Sequence, residues 1–121
     1  MNETSTERKH RMLVMDLTKP AAEIDANLEG VDIDAMHAAL GIAGEGGEVV
    51  DLVKKTVING RMMDTNKLME ELGDLEFYLS LLRRTYDLDR EVILQLNITK
   101  LRARYSDGYS DAASLARVDV E

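Results

Sequence analysis

Residues 40–55 read LGIAGEGGEVVDLVKK, and this stretch decides the fold that the sequence predicts. It lies inside a helix that we expect to begin near Asp32 or Asp34, either of which can cap it, and to run to about residue 58. Four glycines interrupt that helix, at positions 41, 44, 46 and 47. Each costs about 1 kcal/mol there relative to alanine, so close approach of another helix or of a ligand is the usual reason to find them.

Two glutamates stand among these glycines. Glu45 and Glu48 are three residues apart, so they point to one face of the helix and repel each other. A second acidic pair, Glu71 and Asp74, follows in the string EELGDLEF, which also carries a glycine. A single pair of this kind usually marks a solvated helix face. If the two faces meet, however, four carboxylates converge and need cations to neutralise them. Oxygen-only ligands suit Mg²⁺ or Mn²⁺.

Outward from this stretch, the chain favours helix throughout. Only 4% of the residues are aromatic and there is one proline, a composition that favours helix over strand. Asn59-Gly60 ends the glycine-rich helix, and Asp64, Thr65 and Asn66 are candidate caps for the next one. We therefore predict an all-α fold with four helices, three of them long. They span about residues 7–17, 32–58, 67–86 and 90–105.

The same pattern divides the chain into three parts. Residues 1–31 form an N-terminal segment that contains the short helix and a connector over residues 18–31. Residues 32–105 form the main helical domain, in which Asp89 caps the last helix. Residues 106–121 read as a loosely held tail.

The composition excludes several classes of protein. The 121 residues carry 15 Lys and Arg against 23 Asp and Glu, a net charge of −8, which argues against a surface built for nucleic acid. No run of about 18 apolar residues is present to span a membrane. Residues 1–20 lack the apolar core of a secretory signal. The absence of cysteine excludes disulfides and fits a cytoplasmic location.

The fourth predicted helix carries a cationic face beside its apolar stripe. Asn97, Lys100 and Arg104 share this face because they lie at i, i+3 and i+7. Such a face is suited to bind the phosphates that a carboxylate-held Mg²⁺ also contacts. Lys55 lies seven residues after Glu48 and is a further candidate, although a lysine near a helix end also stabilises the helix dipole.

Three strings together resemble the MazG-type branch of the all-α nucleoside triphosphate pyrophosphohydrolases. They are HAALGIAGEGGEVVDLVKK (37–55), LMEELGDLEFYLSLL (68–82) and LNITKLRARY (96–105). The family signature is Glu-x-x-Glu on one helix and Glu-x-x-Asp on the next, followed by Asn-x-x-Lys. The resemblance implies that residues 32–105 are a catalytic domain that depends on Mg²⁺, with Mn²⁺ able to substitute.

The resemblance also implies a reaction, in which water attacks the α-phosphorus of a nucleoside triphosphate and releases a monophosphate and pyrophosphate. It assigns the metal and the catalytic chemistry to four acids: Glu45, Glu48, Glu71 and Asp74. Asn97 and Lys100 would face the phosphates, with Arg104 and Tyr105 as weaker candidates. Independently of the resemblance, His37 lies two helical turns before Glu45 on roughly the same side, a position from which it can approach the base or the sugar, although a lone histidine there is more often a packed or surface residue. Relatives assemble as dimers or tetramers, and some are encoded by phages. We therefore expect a homodimer or homotetramer in the cytoplasm, or in the host cytoplasm for a phage protein.

One detail of the sequence departs from the family signature. Many relatives have two consecutive glutamates at the first motif, where this chain has Gly44 before Glu45. Glu70 lies about 100° around the helix from Glu71, so we expect it to lie outside the metal site.

Three other interpretations of the sequence differ from this one. A phosphoribosyl-ATP pyrophosphohydrolase would share the metal chemistry. A non-catalytic oligomerisation or regulatory module would share the fold but has no reason to keep four repelling acids. A di-iron bundle needs two Glu-x-x-His motifs, which the chain lacks.

Overall fold

The computed structural model describes residues 2–116, which form six α-helices and no strand. The all-α class predicted from the sequence is therefore confirmed. The helices are α1 (Ser5–Leu17), α2 (Ala21–Asn27), α3 (Gly30–Val57), α4 (Thr65–Thr85), α5 (Arg90–Arg104) and α6 (Asp111–Ala116). The four helices predicted from the sequence correspond to α1, α3, α4 and α5.

Two short helices correct the prediction. The connector predicted over residues 18–31 contains α2, which follows Pro20 directly. Proline holds its φ near the helical value, here −58°, so it can open a helix although it cannot continue α1. The tail predicted over residues 106–121 contains α6, in which the Ala113 amide donates a hydrogen bond to the Ser110 side chain at 3.0 Å. The rest of that tail, residues 117–121, lies outside the described residues. Both helices are too short for hydrophobic periodicity to reveal them.

The starts of α4 and α5 follow the predicted caps. The Asp64 side chain accepts a hydrogen bond from the Lys67 amide at 3.0 Å and begins α4. The Asp89 side chain accepts one from the Glu91 amide at 2.7 Å and begins α5. Gly60 follows α3 with a φ of +66°, the left-handed conformation that glycine adopts without strain. These signals fix where α3 ends and where α4 and α5 begin.

The chain divides into two compact units, Met1–Ile33 and Asp34–Glu121. In the first unit, a capping box between Thr4 and Glu7 starts α1, and an ion pair joins Arg11 to Glu3 at 2.8 Å. The second unit holds most of α3 together with α4 and α5, so it contains both acidic motifs. Among the described residues, no helix combines the length and the apolar character that crossing a membrane requires.

The second unit buries very few side chains. Within the described residues, Ala38 is the buried apolar residue and Glu71 is the buried charged one. Large apolar side chains stay exposed along the second half of α3 and along α5, for example Val57 at 70% and Leu96 at 66%. Apolar faces of this extent on a single chain are typical of surfaces that pack against another chain.

One of the four helix glycines has a packing role within the chain. A Cβ at Gly41 would collide with the ring of Tyr78, so glycine at this position lets that ring lie directly on the backbone of α3. The close approach of another helix that the sequence predicted is confirmed here. A Cβ at the other three positions would meet nothing within 4 Å: Gly44, Gly46 and Gly47. Those three glycines border open space.

Candidate metal centre

Three of the acidic side chains from the two motifs meet between α3 and α4. Glu45 comes from α3, and Glu71 and Asp74 come from α4, one turn apart. Each of them offers a carboxylate oxygen, and these oxygens lie within 4.8 Å of one another. Glu71 is buried at 5% exposure, Glu45 is partly buried and Asp74 is exposed. We call these three residues the acidic cluster.

The surroundings of Glu45 disfavour its ionised form. Partial burial raises the pKa of Glu45, and so do the charge of Asp74, a hydrogen bond with Glu71, and the charges of Glu71 and Glu48. Glu45 therefore keeps its proton to a higher pH than an ordinary glutamate. A divalent cation would favour the ionised form and so oppose this shift.

Glu48, the fourth predicted acid, is not one of the three residues in the cluster. It is exposed on α3, one turn after Glu45, yet its charge contributes to the raised pKa of Glu45. Glu48 thus belongs to the same electrostatic neighbourhood. A direct role as a ligand for Glu48 stays a prediction.

Lys67, a cation not predicted from the sequence to be part of the site, lies beside the cluster. The ammonium of Lys67 is 3.0 Å from Oε1 of Glu71 and 3.4 Å from Oε2 of Glu70. The carboxylate of Glu71 raises the pKa of Lys67, with a smaller contribution from Glu70. The signal was present in the sequence, because a lysine four residues before a glutamate on a helix faces it.

An open pocket of about 320 Å³ adjoins the cluster. Its lining residues are Glu45, Asp74, Phe77 and Tyr78. The rings of Phe77 and Tyr78 meet nearly at right angles, with their centroids 5.1 Å apart, and Phe77 is 62% exposed. Phe77 was not predicted from the sequence, where its one signal is its position three residues after Asp74.

The other predicted contact residues have the following surroundings. The ring of His37 packs edge-on against Tyr78, with centroids 5.9 Å apart, so it supports a wall of the pocket. Lys55 forms a 2.7 Å ion pair with Asp51 on its own helix.

On α5, Asn97 and Lys100 are exposed. At the end of α5, the guanidinium of Arg104 lies 5.8 Å from the ring of Tyr105, and that ring packs on Tyr109.

These features define the class of the protein: an all-α chain in which acids from two neighbouring helices meet beside an aromatic-walled pocket. The chain belongs to the MazG family, because residues 35–108 match the MazG nucleotide pyrophosphohydrolase domain. It is also 30% identical over 93 residues to the Gene 37 protein of Mycobacterium phage L5, a similarity that covers 74% of this chain and 78% of that protein. No solved structure matches the chain significantly. The family predicted from the sequence is thus confirmed.

The residues of the cluster fit a hard divalent cation. All three donors are carboxylate oxygens, the ligand type that Mg²⁺ and Mn²⁺ prefer. The three oxygens lie within 4.8 Å of one another, whereas oxygens that bind one ion at about 2.1 Å are at most about 4.2 Å apart, so the side chains would close slightly around the ion. Glu71 is buried, and a buried carboxylate stays ionised only when a cation lies beside it.

Proposed function

We propose that this protein is a Mg²⁺-dependent nucleoside triphosphate pyrophosphohydrolase that cleaves the bond between the α- and β-phosphates. The observation that carries this proposal is the meeting of Glu45, Glu71 and Asp74 within a match to the MazG domain. A bound divalent cation would supply charge neutralisation and Lewis-acid activation of the phosphate. Without it, a substrate with about four negative charges would be repelled by the carboxylates.

In the proposed reaction, the oxygen of a water molecule bonds to the α-phosphorus while the bond from that phosphorus to the bridging oxygen breaks. The bridging oxygen leaves with pyrophosphate, and the water oxygen stays on the nucleoside monophosphate. A carboxylate of the cluster orients the water and takes its proton. Asn97 and Lys100 bind the phosphates in this proposal, with Arg104 and Tyr105 as weaker contributors. Lys55 is the weakest candidate, since Asp51 already engages it.

The decisive assay measures both possible phosphate products. Purified protein is incubated with Mg²⁺ and each ribo- and deoxyribonucleoside triphosphate in turn, and with phosphoribosyl-ATP. We expect equal amounts of pyrophosphate and monophosphate from at least one nucleoside triphosphate. Orthophosphate in place of pyrophosphate would mean that a different bond is cut. No release from any substrate would instead support a non-catalytic helical module.

We further propose that the rings of Phe77 and Tyr78 receive the nucleobase. Phe77 lines the pocket beside Glu45 and Asp74 and leaves much of its ring exposed, so it can stack on a planar base. Stacking of one base on an aromatic side chain contributes about 1–3 kcal/mol. His37 then acts through Tyr78, against which it packs.

Replacing Phe77 with alanine should therefore raise KM for nucleotides by about 10-fold and leave kcat nearly unchanged. Inhibition by inorganic tripolyphosphate, which has no base, should not change. The matched control is Met69→Ala, which truncates a side chain on the same helix that is 63% exposed and does not line the pocket. Equal weakening of tripolyphosphate and nucleotide by Phe77→Ala would contradict a role in base binding.

We also propose that the chain functions as a homodimer or homotetramer. The support is the exposure of apolar side chains on α3 and α5 in the single chain. A groove on α3 is walled mainly by four valines and an isoleucine: Val49, Val50, Val53, Val57 and Ile58. In sedimentation, we expect at least twice the protomer mass of 13.5 kDa. A species of protomer mass at micromolar concentration would contradict the proposal. A cytoplasmic location stays a prediction.

A further inference from the structure

We propose that Lys67 is a built-in counter-ion of the acidic cluster. It neutralises Glu71 through an ion pair; a divalent cation that binds the cluster displaces it, and it then pairs with the phosphates that arrive with that cation. The inference deepens the proposed function and rests on it. It concerns a residue outside both acidic motifs.

Lys67 and Glu71 form an ion pair between a half-exposed cation and a buried carboxylate. Lys67 lies one helical turn before Glu71, and its ammonium is 3.0 Å from Oε1 of that residue. The side chain of Glu71 is 7% exposed and that of Lys67 is 49% exposed, so a buried carboxylate is paired with a cation that still reaches water. An ionised carboxylate that is buried requires such a partner. Lys67 therefore supplies the positive charge that the buried carboxylate of Glu71 requires, a role that a metal ion at the cluster would also fill.

The ammonium of Lys67 and a divalent cation compete for the carboxylate of Glu71. Glu71 is a member of the cluster whose oxygens lie within 4.8 Å of one another. An ammonium on that carboxylate repels a divalent ion bound by the same group, so each cation weakens the binding of the other. The long, flexible stem of lysine allows the ammonium to leave without any movement of α4.

The displaced ammonium of Lys67 has other partners nearby. Glu70 already lies 3.4 Å from it on the solvent side and offers a second partner. The stem keeps the ammonium within a helical turn of Glu71, close to the place where the phosphates of the substrate must meet the metal. An ammonium in that position pairs readily with a phosphate oxygen. Lys67 therefore weakens the binding of the metal ion alone but strengthens the binding of the complex of metal ion and nucleotide.

The test uses Mn²⁺ as the probe and follows its free EPR signal during titration of the intact protein. Lys67→Met should bind Mn²⁺ about 10-fold more tightly than the wild type, while its KM for the best Mg²⁺–nucleotide should rise about 10-fold. Lys9→Met, which removes an exposed lysine of α1, is the control and should change neither value. Lys67→Arg keeps the charge and should stay within about threefold of the wild type in both.

The two readouts move in opposite directions, which a merely structural lysine would not produce. Unchanged or weaker Mn²⁺ binding by Lys67→Met would overturn the competition. Tighter Mn²⁺ binding with an unchanged KM would overturn the pairing with phosphate. If Lys67→Met does not fold, Lys67→Gln replaces it. A wild type that hydrolyses no nucleotide would contradict the proposed function, whereas the Mn²⁺ titration would still decide the competition.

Discussion

Replacing Glu71 with glutamine should lower kcat/KM for nucleotide hydrolysis by about a thousandfold or more. Glu71 is the buried member of the acidic cluster, and its oxygen lies within 4.8 Å of oxygens from both other members. Glutamine has nearly the same shape but no charge, so it removes one negative charge from the proposed metal site. Binding of Mn²⁺ should weaken along with activity.

The matched control is Glu76→Gln, the same chemical change at an exposed position on the same helix, outside the cluster. It should retain activity within about twofold. Circular dichroism should show that both variants keep their helices, because the change removes repulsion among acids as well as an ion pair. A Glu71→Gln enzyme with more than a tenth of wild-type activity would rule out the acidic cluster as the catalytic centre.

Replacing Gly41 with alanine should destabilise the protein by about 2 kcal/mol. In an open helix, the change would stabilise by up to about 1 kcal/mol, because alanine has the higher helix propensity. At this position the new methyl group would occupy the space of the Tyr78 ring, which must then move away from α3. Overpacking of this kind costs about 1–3 kcal/mol, and more when backbone must shift.

Gly44→Ala is the control, since a Cβ there would meet nothing within 4 Å in the single chain. We expect it to raise the midpoint of thermal unfolding by a few degrees, whereas Gly41→Ala should lower it by roughly 10 °C. The Gly41 variant should also lose affinity for nucleotides, because Tyr78 forms a wall of the pocket. A stabilised Gly41→Ala would show that the ring does not lie on α3 in solution.

The fold was predictable because its signals are local. Helical periodicity, the caps at Asp64 and Asp89, and the turn at Gly60 each act within a few residues, and each acts in the structure as the sequence indicates. The two short helices escaped prediction because six or seven residues carry too little periodicity.

The candidate site was predictable only in part, because it depends on how α3 and α4 approach each other. The sequence pointed to the acids because two repelling pairs, each accompanied by glycine, stand on consecutive helices. It did not show that Glu45 would join Glu71 and Asp74 while Glu48 stayed outside that group. The same approach of two helices turns Phe77 into a pocket wall.

The cap of α4 has a consequence for chemistry as well as for folding. Asp64 sets the first turn by accepting a hydrogen bond from the backbone amide of Lys67, and the side chain of Lys67 reaches Glu71 one turn later. The helix that begins at this cap places Lys67 and Glu71 on one face, four residues apart. One residue inserted into α4 between them would turn the two side chains by about 100° relative to each other and separate the two charges. The first turn of α4 thus determines which cation lies against the buried carboxylate.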